Sequence, residues 1–526
     1  MSTAGAPTPD LETRRDGRLL ALLSAVISAS ALWFCYRRGI LFLDGDAPAH
    51  INIARRVFDS RTPGLLQLGT VWLPLPHLLD IPFIANDWLW RTGLGGSIPS
   101  MLAYIAGTLG IFRLVRGLAS RAAAWIAGLI YALNPNLIFI QSTAMTESLY
   151  LCLFVWATVF FAEFVRDAAS PEKPPGRSLE KCGLVLAAAV LTRYDGWFLS
   201  TVLVAALILY AVIAPRFSGG LRRSAVKFAL LPFLTACLWL AYNHASYGNA
   251  LEFANGPYSA GAIQQRSRTP SMPTYPGEHF PRTAELYFLK AARLDLGEGR
   301  AEYLLSSAAF IGLLSVIYFA RGFWPWIPLW CPVVLYAVSI AWGSVPIYVP
   351  GWWPFSYYNL RYGLQLLPAV AVFVAVGYEL LSKLVPRRMV ALAAAVLIAV
   401  SYGSLWLHTP PCLREAQANG NARVQFEQQL ARLLDQLPPS ATIMMDCGAH
   451  SGAVEMAGIP FKRVLRESNP GYWEIALTQP AKSADYVVAI DGDDVWGATR
   501  LFPQNLHNVA LITVRNYTAV IYKSTP

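Results

Sequence analysis

About eleven apolar runs of roughly 15 to 20 residues each, set between short polar stretches, leave this 526-residue chain few architectures. They lie near 19–37, 97–113, 121–140, 147–165, 179–193, 196–214, 226–245, 302–320, 325–345, 362–382 and 389–407. Inside a bilayer every backbone N–H and C=O needs a partner within its own segment, so runs of this length are read as spanning helices. Only 14% of the residues are charged, against roughly 25% in a soluble domain. The expected fold is an all-α polytopic membrane domain of about 11 transmembrane helices, followed by a C-terminal extracytoplasmic α/β domain.

The net charge of +10 is distributed in small basic clusters between the runs, such as Arg113, Arg116 and Arg121, or Lys383, Arg387 and Arg388. With residues 1–18, which carry Arg14, Arg15 and Arg18, placed as a cytoplasmic tail, every short cluster falls on that same side. Loop charge of this kind sets topology and does not point to nucleic acid. Arg193-Tyr194-Asp195-Gly196 interrupts one apolar stretch and is read as a tight turn between two short helices. The seven cysteines have neither a disulfide framework nor a metal-binding spacing. The outside then receives loops at about 38–96 and 246–301 and everything from about 415 to 526, with 19–407 as the membrane domain. In the C-terminal part a helix is expected from Ala422 to Leu437, and strands at Ala441–Met445, Tyr486–Ile490, Val509–Val514 and Ala519–Tyr522. The Pro/Gly-rich 270–277 stretch reads as a mobile loop.

Carboxylates near span ends collect on the outer side: Asp44, Asp46, Glu147, Asp195, Asp80 and Asp87. A charge at that depth is costly unless it caps, pairs or works. Asp44 and Asp46 directly follow the first run. Asp46, just before Pro48, is a natural N-cap and predicts a helix from about Ala47 to Asp59. On that helix Ile51, Ala54, Val57 and Phe58 share a face suited to lying on a bilayer surface. Two residues apart, the two aspartates point in different directions. Glu147 opens a span behind Thr146, which reads either as a helix start favoured by the dipole or as part of a site. Asp195 is read either as a turn residue or as part of that site. Arg361 is either a snorkelling interfacial arginine or a bidentate phosphate ligand, and Arg55 and Arg56 carry the same two readings with snorkelling favoured. Tyr357, Tyr358, Trp72, Trp352 and Trp353 are read as belt aromatics or as stacking surfaces for a sugar. Asp491-Gly492-Asp493-Asp494 has the look of the metal-holding DxD of soluble glycosyltransferases, but an acidic turn capping a helix over Val495–Leu501 accounts for it.

Together these residues resemble the GT-C superfamily of polytopic glycosyltransferases, which includes protein O-mannosyltransferases and aminoarabinose transferases. The resemblance rests on Asp44-Gly45-Asp46-Ala47 and on Gly69-Thr70-Val71-Trp72-Leu73-Pro74-Leu75-Pro76-His77. It rests further on Thr146-Glu147-Ser148-Leu149-Tyr150, Leu191-Thr192-Arg193-Tyr194-Asp195-Gly196, and Asn359-Leu360-Arg361-Tyr362 leading into Leu366-Leu367-Pro368-Ala369. It covers the chain to about residue 407. It implies transfer of a sugar from a polyprenyl-phosphate carrier, with inversion, to a glycan, lipid or protein acceptor. Asp44 or Asp46 would be the catalytic base; Glu147, Asp195, Arg361, His77 and Tyr358 would bind substrate. No metal ligand set is assigned, and a divalent cation is the one cofactor left open.

The charge pattern and the resemblance place the chain in a bacterial or archaeal plasma membrane, N-terminus in the cytoplasm and C-terminus outside. The rival is a transporter or flippase of lipid-linked glycans, in which the same carboxylates would carry protons or cations. Against it, the carboxylates gather at one face instead of the midplane.

Overall fold

The computed structural model describes residues 11–168, 176–213, 219–266, 268, 274–319, 326 and 328–525. Residues 1–10 of the expected tail, part of the 270–277 loop, and Lys173, Arg216 and Arg321 lie outside the described residues.

Each expected apolar run is centred on a helix. Among the described residues, eight helices are long and apolar enough to cross a membrane: Glu12–Arg37, Leu94–Arg116, Glu147–Ala168, Tyr194–Val212, Leu221–Tyr247, Gly299–Ile317, Leu360–Leu381 and a segment Arg387–Leu434. The last is two helices, Arg387–His408 and Pro411–Leu434, separated at Thr409. Shorter apolar helices occupy Arg121–Ala132 and Pro328–Trp342. The chain is a multi-pass membrane protein.

The residues group into two compact units. One holds Met1–Ala31, Ser100–Gln141 and Thr146–Leu413, the bulk of the membrane helices. Where its helices cross, small residues permit close backbone approach, as is usual where lipid supplies no hydrophobic drive between helices. A Cβ on Gly377 would lie 3.6 Å from the Gly312 Cα, and one on Gly183 would lie 2.8 Å from the Phe228 Cα.

The other unit joins Leu32–Pro99 and Ser142–Met145 to Arg414–Pro526. Its sheet has five strands, β1 (Ile443–Met445), β2 (Val464–Leu465), β3 (Tyr486–Ile490), β4 (Leu506–Val514) and β5 (Tyr517–Ser524), in the order β2-β1-β3-β5-β4. β1 pairs parallel with β2 and β3, whereas β5 pairs antiparallel with β3 and β4. Met444, Leu465, Val487 and Ala489 bury against Trp473, Ala476 and Val495 from the covering helices. Two-residue β2 is too short to show a strand pattern in sequence. Asp493 caps the Asp494–Leu501 helix, its Oδ1 accepting from Trp496 N at 2.6 Å, as the acidic-turn reading requires.

The helix after the first span differs from its expectation in two respects. It runs Asp46–Arg56 with Gly45 at the cap position and no side-chain cap there; the Asp46 N–H donates to Asp44 Oδ1 at 3.2 Å, and Asp46 is the first helical residue instead of the cap. It also does not lie flat on a surface: Ala47, Pro48 and His50 through Arg55 are all buried in its own unit. Arg55 likewise is no snorkelling residue. Its guanidinium donates to Asp59, Asp87 and the Ile84 carbonyl at 2.9, 2.7 and 2.8 Å and lies 4.3 Å from the Trp90 ring centroid.

Candidate functional site

In the membrane unit two of the predicted site residues, Glu147 and Asp195, converge on a cation that sequence reasoning did not single out, and a third, Arg361, joins them through Glu147. The turn after the Gly176–Val190 helix delivers Arg193, and the Tyr194–Ile213 helix starts immediately behind it with Asp195 in its first turn. Arg193 Nη1 donates to Glu147 Oε1 at 3.0 Å and to the Thr146 hydroxyl at 3.1 Å, while its Nε donates to Asp195 Oδ2 at 3.1 Å. Arg361 arrives from a seven-residue 3₁₀ segment, Leu360–Leu366, which Asn359 enters through a left-handed backbone (φ 57°). Its Nε donates to the same Glu147 Oε1 at 3.1 Å. One carboxylate oxygen, on a side chain 1% exposed, thus accepts from two guanidiniums.

Aromatic residues wall this network. Arg193 and Arg361 lie 5.1 and 5.3 Å from the Tyr362 ring centroid. Tyr336 donates to Asp195 Oδ1 at 2.6 Å and stacks on Phe288 with centroids 4.6 Å apart. Removed from water, such charges persist only when paired, and here Glu147 and Asp195 pair with Arg193 and Arg361 through Glu147 Oε1 and Asp195 Oδ2, while Glu147 Oε2 is buried with no hydrogen-bond partner among the described residues. The set fixes the guanidiniums in place, and guanidiniums are the groups suited to a phosphate. Tyr358 is tied to Tyr348 by paired backbone hydrogen bonds of 3.0 and 3.3 Å and by ring contact at 5.6 Å.

The other unit holds Asp44, Asp46 and His77. The loop carrying the two aspartates is gripped from the Pro411–Leu434 helix. Arg423 Nη2 donates to the Phe42 and Leu43 carbonyls at 2.5 and 3.3 Å, and Arg423 Nη1 donates to Glu427 at 2.8 Å. Glu427 is fully buried and also faces His450 Nδ1 at 3.4 Å. His77 is buried in the Pro74–Ile84 helix, its Nε2 2.9 Å from His50 Nδ1, with the Trp72 ring 4.7 Å from that of His50. Burial, and then the neighbouring His50 and Arg56, hold His77 well below the ordinary histidine range, so it is neutral at pH 7. Burial pushes Asp80 well above the usual carboxylate range. Among the described residues no group of three or more His, Cys, Asp or Glu side chains is placed to hold a metal ion.

Sequence reasoning passed over Arg193, Tyr336 and Arg423. For Arg193 a signal existed, since an arginine flanked on both sides by apolar helix needs buried counter-charges. Tyr336 and Arg423 lie in stretches where nothing local distinguishes them.

Residues 91–242 match the family model described as dolichyl-phosphate-mannose-protein mannosyltransferase. No curated protein matches the chain. Among solved structures, ArnT from Cupriavidus metallidurans bound to undecaprenyl phosphate is similar at a TM-score of 0.59 and 13% identity, over 95% of this chain and 97% of that one. The same protein in the apo state gives 0.58 and 14% over the same shares of the two chains. The oligosaccharyltransferase from Archaeoglobus fulgidus, in its apo form, gives 0.49 and 10% over 90% of this chain and 69% of that one. The motif resemblance noted in the sequence therefore extends to the architecture, and the chain is a multi-pass membrane protein with the fold of the GT-C glycosyltransferases.

Proposed function

We propose that this protein transfers a sugar from a polyprenyl-phosphate donor to a glycan, lipid or protein acceptor on the extracytoplasmic face, with inversion at the anomeric carbon. The observation that carries the reading is the fold shared along 95% of the chain with ArnT, which was solved bound to undecaprenyl phosphate. The paired guanidiniums on Glu147 support it, because a sugar leaving a lipid phosphate needs cations where the phosphate charge develops. In this mechanism Asp44 or Asp46 takes the proton from the acceptor nucleophile. The nucleophile bonds to the anomeric carbon, and the bond from that carbon to the phosphate oxygen breaks. Arg361 and Arg193 hold the departing polyprenyl phosphate. Glu147 and Asp195 serve as their counter-charges. Tyr358 and His77 are assigned to substrate binding, His77 from the Pro74–Ile84 helix. The orientation has the N-terminus in the cytoplasm, with 1–18 as its tail, the spanning helices within 19–407 and residues 415–526 outside.

The test is release of free polyprenyl phosphate from a panel of labelled polyprenyl-phosphate sugars, with the protein in nanodiscs and a membrane extract as acceptor source. Release lost in Asp44→Asn or in Asp46→Asn, with protein still folded, identifies the base. Absence of release with every donor would overturn the transferase reading in favour of a transporter.

A further inference from the structure

Away from this network, the membrane unit contains a cavity of about 450 Å³ where the start of the Leu11–Arg37 helix meets the last turns of the Leu94–Arg116 and Glu147–Ala168 helices. Its walls are largely apolar, including Leu109, Phe112, Trp156 and Val159, yet it takes three guanidiniums, from Arg113, Arg116 and Arg166. Two of these have local counter-charges. Arg113 pairs with Glu163 at 2.7 Å and lies 5.4 Å from the Trp156 ring centroid, and Arg166 lies 3.8 Å from Asp167. Asp16, near enough to feel Arg116, is already gripped by Arg121 through two bonds of 2.5 and 2.6 Å. Arg116 forms no hydrogen bond or ion pair with any described residue, and its Nε is buried. The cavity therefore carries one guanidinium with a buried Nε and no bonded counter-charge among the described residues.

We propose that this cavity binds an anionic phospholipid, its headgroup phosphate on Arg116 and Arg166 and an acyl chain along Phe112, Trp156 and Val159. The cavity lies at the ends of spanning helices, the depth at which headgroups sit, and basic pockets between such helices are suited to acidic lipids. A guanidinium fork matches a phosphodiester in geometry as well as charge. The apolar walls select the lipid over free phosphate, which gains nothing from them and loses hydration on entry.

The test is native mass spectrometry of the delipidated full chain with added phosphatidylglycerol, phosphatidylcholine or inorganic phosphate. One retained phosphatidylglycerol is expected, with phosphatidylcholine bound more weakly. Arg116→Gln should weaken phosphatidylglycerol by roughly fivefold and Arg116→Gln/Arg166→Gln by more, since each surface guanidinium near an anionic lipid counts for about that factor. Val159→Trp, which fills the cavity and leaves every charge, should displace the lipid as well. Equal binding of the two lipids, unchanged phosphatidylglycerol binding in the folded variants, or competition by inorganic phosphate at the lipid's own concentration would each overturn the assignment.

Discussion

The Cα of Gly420 lies against the carbonyl oxygen of Leu43, so close that a methyl group there would overlap it. That contact brings the Pro411–Leu434 helix down onto the residue preceding Asp44. Backbone on both sides leaves no flexible side chain to yield. Gly420→Ala should therefore cost about 1–3 kcal/mol through overpacking. It should also reduce sugar transfer more than the melting temperature alone would account for, because the displaced segment carries the proposed base. Gly497→Ala is the control: nothing lies within 4 Å of a Cβ at that helical position. It should leave both readouts unchanged or raise stability slightly. Scanning fluorimetry beside the transfer assay separates the two effects.

Arg423 sits one helical turn beyond Gly420 and bonds the Phe42 and Leu43 carbonyls while Glu427 holds it. A residue that acts only by fixing the loop should affect turnover and leave donor affinity alone. Arg423→Gln is expected to lower kcat by about tenfold, with KM for the lipid donor within about twofold of wild type. Arg423→Lys should recover part of the loss, since an ammonium can stand in for Nη2 at the carbonyls but lacks the second nitrogen by which Nη1 reaches Glu427. A raised KM with unchanged kcat would show that Arg423 contacts substrate instead.

Glu147 is the only carboxylate that meets both Arg193 and Arg361 in the described residues. Removing it takes a shared counter-charge from two guanidiniums that are 15% and 11% exposed. Glu147→Ala should cost about 3–5 kcal/mol, the penalty of breaking a buried pair. Glu147→Gln should cost less, because the amide oxygen still accepts from a guanidinium. Arg361→Lys should raise the donor KM if Arg361 grips phosphate. Steady-state kinetics on the nanodisc protein, read with melting temperature, distinguishes the packing role of Glu147 from the binding role of Arg361.

What the sequence disclosed divides along the range of the interactions. Apolar runs mark helices without reference to the rest of the chain, and every expected run found one. Asp493 as a cap was equally legible, because capping is decided within three residues. By contrast, the burial of Arg55 depends on Asp87 and the Ile84 carbonyl some thirty positions away, so its side chain read as snorkelling. Likewise nothing in residues 38–96 announces that they pack in one unit with Arg414–Pro526. The carboxylates of the membrane unit were found, but as helix-start and turn residues or substrate ligands. Their engagement with Arg193 required the turn at 191–193 to be seen in space.

The ends of the parallel strands β1 and β3 carry carboxylates whose protonation should be visible in stability. Asp446 follows β1 and is pushed up to about 6 by burial first, then by the charges of Glu467 and Asp494, with the Gly448 N–H and His450 opposing. Asp493 follows β3 and is raised to about 7, again chiefly by burial, with Asp446 and Asp494 adding repulsion. A carboxyl whose pKa is higher in the folded protein keeps its proton after the unfolded chain has lost it. The stability it contributes is complete below the unfolded value of 3.8 and is lost as pH rises through about 6 for Asp446 and about 7 for Asp493. Asp446→Asn keeps an acceptor for the Gly448 N–H, which donates to Asp446 Oδ1 at 2.8 Å, and is neutral at every pH. It also relieves Asp493. The variant should therefore melt at or below the wild type at pH 4 and above it at pH 8, the difference opening between those values. Melting profiles that stay parallel across that range would mean that these carboxyls ionise normally in the folded protein.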